Sequence, residues 1–248
     1  MLSIRSGARF DLRQSPRGAD GLGGYVWPGA VALARWLGGG SPDLAPLVRG
    51  GCHVLDLGSG TGFLGLALAA HGASRVVLSD EFLGLCAHNA ATFVEDYPTH
   101  PKPVVALRRI RWAHDDDADA ADAKPGPADA PVELIVGAEL APMSAGHLPL
   151  AREVERRLRF ADLRRQRARA VLQLAACPGG DATACGRSHR CATHRFLDVA
   201  AARPRLRLDA LVTDVPAPVS GDCAGLDLAL DDGEAHVWVA LFSLGPEV

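Results

Sequence analysis

The sequence lacks a strong excess of either charge and lacks any long apolar run. Its 26 lysines and arginines are opposed by 29 aspartates and glutamates, and the net charge of −3 is too small to indicate a general attraction to nucleic acid or to an anionic membrane. No apolar stretch reaches the ~20 residues that a membrane-spanning helix needs, and residues 1–6 lack the apolar core of a secretory signal. We therefore expect a protein of the cytoplasm, and also of the nucleus, with no membrane partner.

The sequence also lacks a disulfide framework and a typical metal-binding spacing. Its six cysteines are scattered over predicted strands, helices and loops, which favours reduced thiols. They are Cys52, Cys86, Cys177, Cys185, Cys191 and Cys223. The cluster of cysteines and histidines between Cys177 and His194 has no C-x2-4-C spacing of the kind that zinc sites use. We expect a loop with incidental thiols there and no metal ion.

What the sequence does contain is an apolar strand that leads into a glycine loop. Val54-Leu55-Asp56-Leu57 is followed by Gly58, Gly60 and Gly62, and a helix is predicted directly after them. Glycines let the backbone turn sharply and approach a ligand closely, and the amide end of the helix points at the loop. A second predicted strand ends at Asp80, about 20 residues further on, where a carboxylate can bind both hydroxyls of a ribose. The pattern predicts a cofactor that contains a nucleoside.

Two cofactors fit this pattern. Gly60-x-Gly62-x-x-Gly65 has the spacing of an NAD site. In a dinucleotide site, however, the first glycine follows the strand directly, and the helix faces a pyrophosphate. Here Asp56 stands at the end of the strand, where a carboxylate would repel a pyrophosphate and attract the ammonium or sulfonium of S-adenosylmethionine. We therefore favour S-adenosylmethionine over NAD.

The order of predicted elements indicates an α/β protein with a doubly wound, Rossmann-like sheet. Strands are predicted at 52–57, 75–80, 104–112, 132–140 and 168–176, and helices at 28–38, 62–72, 81–97, 146–166 and 190–203. Two more strands, at 205–215 and 234–244, have no helix between them, so a mainly parallel sheet of seven strands should end in an antiparallel hairpin. We expect one domain over residues 1–248, with residues 1–26 as an N-terminal extension.

Two segments are unusual in charge. Residues 113–131 are rich in Asp, Ala and Pro without periodicity and are predicted to form a flexible acidic surface insert, with an acidic surface that attracts a basic substrate as the alternative. Eight arginines between Arg152 and Arg169 crowd one predicted helix and its exit. We interpret them as a solvated helix face. The alternative, a nucleic-acid or acidic-partner patch, is less favoured because such a patch usually dominates the charge of the whole domain.

Five motifs follow one another along the chain. They are Val26-Trp27-Pro28, the glycine loop, Ala87-His88-Asn89, Arg111-Trp112 and Gly137-Ala138-Glu139. Together they resemble the seven-β-strand S-adenosylmethionine-dependent methyltransferases, and within them the small protein-lysine methyltransferases that act on non-histone proteins. The resemblance covers nearly the whole chain, and the Val26-Trp27 element is what makes it specific to the subgroup. It implies an enzyme that transfers a methyl group to a protein, at a lysine.

The resemblance also implies a set of site residues. The cofactor contacts that it implies are Trp27, Asp56, Gly58, Gly60, Gly62, Asp80, Glu81, Trp112 and Ala138. Trp112 would lie near the adenine, Asp80 would bind the ribose, and Asp56 with the loop glycines would hold the methionine end. The alternative for Trp27 is a hydrophobic staple at the start of a helix, and the alternative for Trp112 is a packed core residue.

The family's motif after the fourth strand is acid-x-x-aromatic, and here it is Glu139-Leu140-Ala141-Pro142. Glu139 would therefore be the catalytic acid that faces the incoming amine. Pro142 has no aromatic face for that amine, so Tyr25 or Phe82 would have to supply one, and Arg111 stands where relatives tend to have an acid. Two alternatives follow: a methyltransferase-like protein that binds the cofactor or a partner without transfer activity, and a methyltransferase that acts on a small molecule or an arginine.

Overall fold

The computed structural model describes residues 2–3, 9–15, 21–97, 101–110, 132–140, 146–163, 167–174, 191–216 and 236–245. A short antiparallel pair, β1 (Leu2–Ser3) with β2 (Arg9–Phe10), stands apart from the main sheet. The main sheet has seven strands: β3 (His53–Leu57), β4 (Arg75–Asp80), β5 (Val104–Arg109), β6 (Leu134–Ala138), β7 (Arg169–Leu174), β8 (Leu206–Pro216) and β9 (His236–Leu244).

The strand order across the sheet is β5-β4-β3-β6-β7-β9-β8. The strands from β5 to β7 in this order run parallel, and β9 is antiparallel to both β7 and β8. This confirms the predicted doubly wound sheet with its antiparallel C-terminal hairpin. Because the chain goes from β3 to β4 on one side and later adds β6 on the other, the order reverses between β3 and β6, where ligands bind in sheets of this kind.

The helices of the described residues are α1 (Pro28–Arg35), α2 (Leu44–Arg49), α3 (Phe63–Ala70), α4 (Gly84–Asp96), α5 (His147–Leu163) and α6 (Ala192–Ala201). A π-helical turn, Trp36–Gly40, continues α1. The sequence did not predict α2, because its six residues are too few for a helical period to be recognised. None of these helices is both long and apolar enough to cross a membrane.

The helices cover both faces of the sheet. Leu66 of α3 packs in one buried cluster with Val136 of β6, and Val154 of α5 packs in another with Ile135. Ile135 and Val136 are neighbours in β6 and point to opposite faces, as successive residues of a strand do. A strand that is covered on both faces is buried along its whole length, as β3 is from Val54 to Leu57, where Asp56 is the one charged residue.

The arginine-rich helix differs from the solvated face that the sequence predicts. Glu153 of α5 accepts hydrogen bonds from Arg157 Nε at 2.6 Å and from Arg156 Nη2 at 2.8 Å. Glu155 accepts one from Arg203 Nε at 2.7 Å, which ties α5 to the turn after α6. Glu153, Glu155 and Arg157 are buried. Some of the charged side chains of α5 are thus buried in ion pairs, and these pairs hold the helix in place.

No group of three or more histidine, cysteine or acidic side chains is placed to hold a metal ion within the described part of the chain. Of the cysteine and histidine cluster named above, Cys191 and His194 are described, and Cys191 Sγ lies 3.0 Å from His194 Nδ1. Cys177, Cys185 and His189 lie outside the described residues, as does the acidic insert, residues 113–131.

Candidate functional site

The candidate site lies at the carboxyl ends of β3, β4 and β6. Asp56 of β3 is paired with Val136 of β6, so the glycine loop that follows Asp56 and the Ala138-Glu139 corner that follows Val136 leave the sheet side by side. Leu57 of β3 is paired with Ser79, which places Asp80 at the same edge. The fold therefore brings together two elements of the site that are about 80 residues apart in sequence, as parallel strands do with their carboxyl ends.

The glycine loop has a left-handed backbone at each of its three glycines. The φ angles are 62° at Gly58, 53° at Gly60 and 83° at Gly62, values that a residue with a Cβ rarely adopts. A Cβ at Gly60 would also come within 2.7 Å of the carbonyl oxygen of Gly23. The loop is fastened to β4 by Ser59, whose N–H donates to the Ser79 carbonyl oxygen at 2.9 Å.

Asp80 joins the loop to the end of β4. Its Oδ2 accepts the N–H of Gly60 at 2.9 Å, and its Oδ1 accepts the N–H of Phe82 at 3.1 Å. Each carboxylate oxygen can accept a second hydrogen bond, so Asp80 has the capacity to bind ribose hydroxyls as well. The next two side chains are the half-buried Glu81 and Phe82, which is 53% exposed and offers an apolar ring at the site.

Asp56 lies beneath the loop in the protein interior. It is 1% exposed, and its Oδ2 accepts the N–H of Gly65 at 2.9 Å. Burial raises the pKa of Asp56 to about 8, the hydrogen bond from Gly65 opposes that shift, and the charge of Asp80 adds to it. Gly65 has no Cβ that would strike Leu78, so α3 can approach the sheet and bring its N–H to Asp56. A carboxyl in such surroundings gains most from a cationic ligand.

Glu139 stands at the corner after β6 in a strained conformation. Its φ is 56°, and it is the one residue other than glycine with a positive φ among those described. Strain of this kind costs about 1–3 kcal/mol and is concentrated at functional sites. The N–H of Glu139 donates to Gln173 Oε1 of β7 at 3.0 Å. That bond supports the left-handed backbone.

The carboxylate of Glu139 is held at the amino end of α1. It accepts hydrogen bonds from the N–H of Gly29 and from the side chain of Gln173; burial raises its pKa, and these two bonds oppose the shift. A Cβ at Gly29 would strike Gln173 Oε1 and lie 2.5 Å from Glu139 Oε1. The amino end of a helix stabilises a negative charge. Glycine at position 29 leaves the room that the carboxylate needs to approach this end of α1.

Gln173 is a site residue that sequence reasoning missed. It is 1% exposed near the carboxyl end of β7, and its Nε2 also donates to the carbonyl oxygen of Leu174 at 2.8 Å. The signal in the sequence was a single polar residue within the apolar run Ala170-Val171-Leu172-Gln173-Leu174, because a buried amide needs partners.

Two more aromatic residues, Tyr25 and Trp27, lie just before α1. Trp27 caps α1, is 38% exposed, and its ring centroid lies 5.8 Å from that of Tyr25. Ala138, at the end of β6, is half-buried. Arg111, Trp112 and Pro142 lie outside the described residues, so the roles predicted for them stay predictions.

The sheet order, the glycine loop and the acids at the ends of β3 and β4 are the features of the S-adenosylmethionine-dependent methyltransferase fold. Two solved structures show the same fold. A proposed RNA methyltransferase from Pyrococcus horikoshii superposes with a TM-score of 0.52 at 15% identity, covering 95% of this chain and 94% of that one. An S-adenosylmethionine-dependent methyltransferase from Methanosarcina mazei has a TM-score of 0.51 at 13% identity, covering 83% of this chain and 100% of that one.

A family model described as lysine methyltransferase matches residues 8–141, more than half of the 248 residues. The chain belongs to this family. Protein N-lysine methyltransferase METTL21A of Mus musculus is 28% identical over 120 residues, which make up 48% of this chain and 48% of the relative. The chain thus matches about half the length of that curated relative.

The residues of this site fit S-adenosylmethionine as a cofactor. The glycine backbone leaves room for a closely packed ligand, Asp80 retains acceptor capacity for ribose hydroxyls, and the buried Asp56 suits a ligand with positive charge. The same features make NAD the poorer choice, because a pyrophosphate beside Asp56 and Asp80 would meet two acids.

Proposed function

We propose that the chain transfers a methyl group from S-adenosylmethionine to the side-chain amine of a lysine in a protein substrate. The lysine methyltransferase family and the mouse relative support this assignment. The observation that carries it is the carboxylate of Glu139, which is held by Gly29 and Gln173 at the corner that leaves the sheet beside the glycine loop.

The chemistry requires a neutral amine in line with the methyl group. Bound S-adenosylmethionine supplies an electrophilic methyl on a sulfonium, and the nitrogen–carbon bond forms as the carbon–sulfur bond breaks. Glu139 orients the amine by accepting a hydrogen bond from it and takes up the proton that the ammonium must lose. Burial raises the pKa of Glu139, which makes its carboxylate a better proton acceptor than an exposed one.

We further propose that Tyr25, rather than Phe82, supplies the aromatic face for the amine. Tyr25 packs on Trp27, and Trp27 lies two residues from Gly29, the residue whose N–H binds Glu139. Phe82 instead has its N–H bonded to Asp80, on the ribose side of the site. An aromatic ring near the amine contributes about 0.5–2 kcal/mol through a cation–π contact.

The test of the proposed function is transfer of labelled methyl from S-adenosylmethionine to the proteins of a cell lysate. Glu139→Gln keeps the shape of the side chain and removes its basicity, so we expect transfer to fall by about a hundredfold or more, with cofactor affinity by calorimetry unchanged. Glu95→Gln, at an exposed position of α4, is the matched control and should transfer at the wild-type rate.

Equal rates for Glu139→Gln and wild type would refute the catalytic role of Glu139. Cofactor binding without any labelled protein from the wild type would favour a small-molecule acceptor or a protein that has lost transfer. A labelled protein whose modified residue is an arginine would retain the reaction type and replace the acceptor.

A further inference from the structure

Asn89 is a buried polar side chain for which neither the cofactor contacts nor the proposed catalysis accounts. It lies on α4 and is 1% exposed. Its Oδ1 accepts the N–H of Arg13 at 2.8 Å, and its Nδ2 donates to the carbonyl oxygen of Arg13 at 3.0 Å and to that of Thr61 at 2.8 Å. Both amide hydrogens and the amide oxygen are thus used, and two of the three bonds imitate the pairing of one peptide group with another.

The three bonds connect two parts of the chain that are far apart in sequence. Thr61 lies inside the glycine loop, between Gly60 and Gly62, whereas Arg13 belongs to the segment that precedes α1. Asn89 is 28 residues from Thr61 and 76 residues from Arg13. A single side chain therefore fixes the position of the N-terminal segment relative to the cofactor loop.

The segment before α1 is itself folded back on its own end. The N–H of Ser15 donates to the carbonyl oxygen of Gly24 at 2.9 Å, and the N–H of Val26 donates to Gln14 Oε1 at 2.9 Å. Gly23, on the same strip, packs against Gly60 so closely that a Cβ at Gly60 would lie 2.7 Å from its carbonyl oxygen. The strip formed by residues 11–15 and 23–26 therefore contacts the glycine loop twice, at Gly60 directly and at Thr61 through Asn89.

We propose that Asn89 is a positioning residue that latches this strip to the glycine loop, so that the affinity for S-adenosylmethionine depends on the latch. Three glycines make the loop flexible, and a flexible loop must lose conformational entropy when it closes on a ligand. Fixing the Thr61 carbonyl and packing Gly23 on Gly60 order the loop in advance. The proposal depends on the cofactor assignment and is independent of whether the acceptor is a lysine.

The experiment uses two variants that break the latch from opposite sides, each with a matched control. Asn89→Leu removes all three hydrogen bonds and keeps the branching of the side chain, and His88→Ala, at the exposed neighbouring position, is its control. Arg13→Pro removes the N–H that Asn89 accepts, and Arg13→Ala keeps that N–H and removes only an exposed side chain. Calorimetry gives the Kd for S-adenosylmethionine, and hydrogen exchange by mass spectrometry follows residues 9–15 and 58–65.

We expect Asn89→Leu and Arg13→Pro to raise the Kd by about tenfold or more, the size expected for the loss of buried hydrogen bonds. Both controls should stay within about twofold of the wild type. In the ligand-free protein both latch variants should exchange faster at residues 58–65 as well as at 9–15. In the wild type, S-adenosylhomocysteine should slow exchange in both segments together.

An unchanged Kd in both latch variants would overturn the proposal, as would faster exchange confined to residues 9–15. If Asn89→Leu fails to fold, Arg13→Pro decides alone, because it leaves α4 intact. A wild-type protein that binds no S-adenosylmethionine would refute the cofactor assignment instead. The latch would then be judged by whether Arg13→Pro speeds exchange at residues 58–65 of the free protein.

Discussion

At the scale of single residues, the candidate site depends on two acids that are removed from water in different ways. Asp56 is fully enclosed and accepts one hydrogen bond from Gly65, whereas Glu139 is half-buried and held by both Gly29 and Gln173. Burial raises the pKa of each. A positive charge placed next to such an acid favours its ionised form and lowers the raised pKa, and a sulfonium cofactor and a lysine ammonium would each bring that charge.

The pKa of Asp56 leads to a prediction about stability. The pKa of Asp56 is about 8 in the folded protein, against an ordinary value of 3.8, so between these pH values the folded state keeps a proton that the unfolded state has lost. The free energy of unfolding of the cofactor-free protein should therefore fall as pH rises, by about 2 kcal/mol from pH 6 to pH 8 for this group. Asp56→Asn should lose that part of the decrease, measured by urea unfolding at both pH values.

Asp96→Asn, at an exposed position of α4, is the control and should keep the wild-type pH dependence. An Asp56→Asn protein whose stability decreases between pH 6 and pH 8 as steeply as that of the wild type would show that Asp56 is ionised in the folded state.

At the scale of elements, the site is built where the amino end of α1 meets the carboxyl ends of β6 and β7. Pro28 begins the helix with its φ already suited to it. The helix N–H groups then face the corner at Glu139, and Gln173 of β7 links the backbone and the side chain of that residue. The close approach depends on glycine at position 29.

Gly29→Ala should therefore destabilise the protein although alanine is the better helix former. The added Cβ would strike Gln173 Oε1 and lie 2.5 Å from Glu139 Oε1, and overpacking of this kind costs about 1–3 kcal/mol. Methyl transfer should fall with it. The same substitution at Gly84, in the first turn of α4 with open space around it, should be neutral or stabilising by up to about 1 kcal/mol. Urea unfolding of both variants distinguishes the effects, and equal stabilities would contradict the packing at Gly29.

At the scale of the whole molecule, the two faces of the sheet differ in what their helices contribute. The face with α1, α3 and α4 carries the elements of the candidate site, and the face with α5 and α6 supports the sheet. The second face contains the ion pairs of the arginine-rich helix, of which Glu155 with Arg203 joins α5 to the turn after α6. Changes on this face should alter stability without altering the site.

Arg203→Met tests this division, because it leaves Glu155 buried without its partner. We expect the free energy of unfolding to fall by about 1–3 kcal/mol, with the Kd for S-adenosylmethionine unchanged. Adding Glu155→Leu should restore part of the stability, since both members of a buried pair are then gone. Arg207→Met, which removes an exposed pair with Asp209, should change stability by less than about 1 kcal/mol. A weaker Kd in Arg203→Met would show that the two faces are coupled.

The sequence by itself determined the fold and the conformation of the glycine loop. Strands and helices follow from the local spacing of apolar residues. The left-handed backbone at Gly58, Gly60 and Gly62 follows from the residue type, because glycine adopts a positive φ at little cost. Both can therefore be predicted without knowledge of distant contacts. The ends of the predicted strands β4, β6 and β7 agree with the structure to within two residues.

Only the tertiary structure decided which polar side chains act together. Gln173 with Glu139, Asn89 with Arg13 and Thr61, and Arg203 with Glu155 are partners separated by 28 to 76 residues. No local propensity encodes these pairs, because each pair forms only after helices and strands have packed. Once buried, these polar side chains need hydrogen-bond partners, and packing decides which partners are within reach. The glycine loop can thus be recognised from the sequence, whereas the hydrogen bonds that hold the acids in place arise from the packing of helices on the sheet.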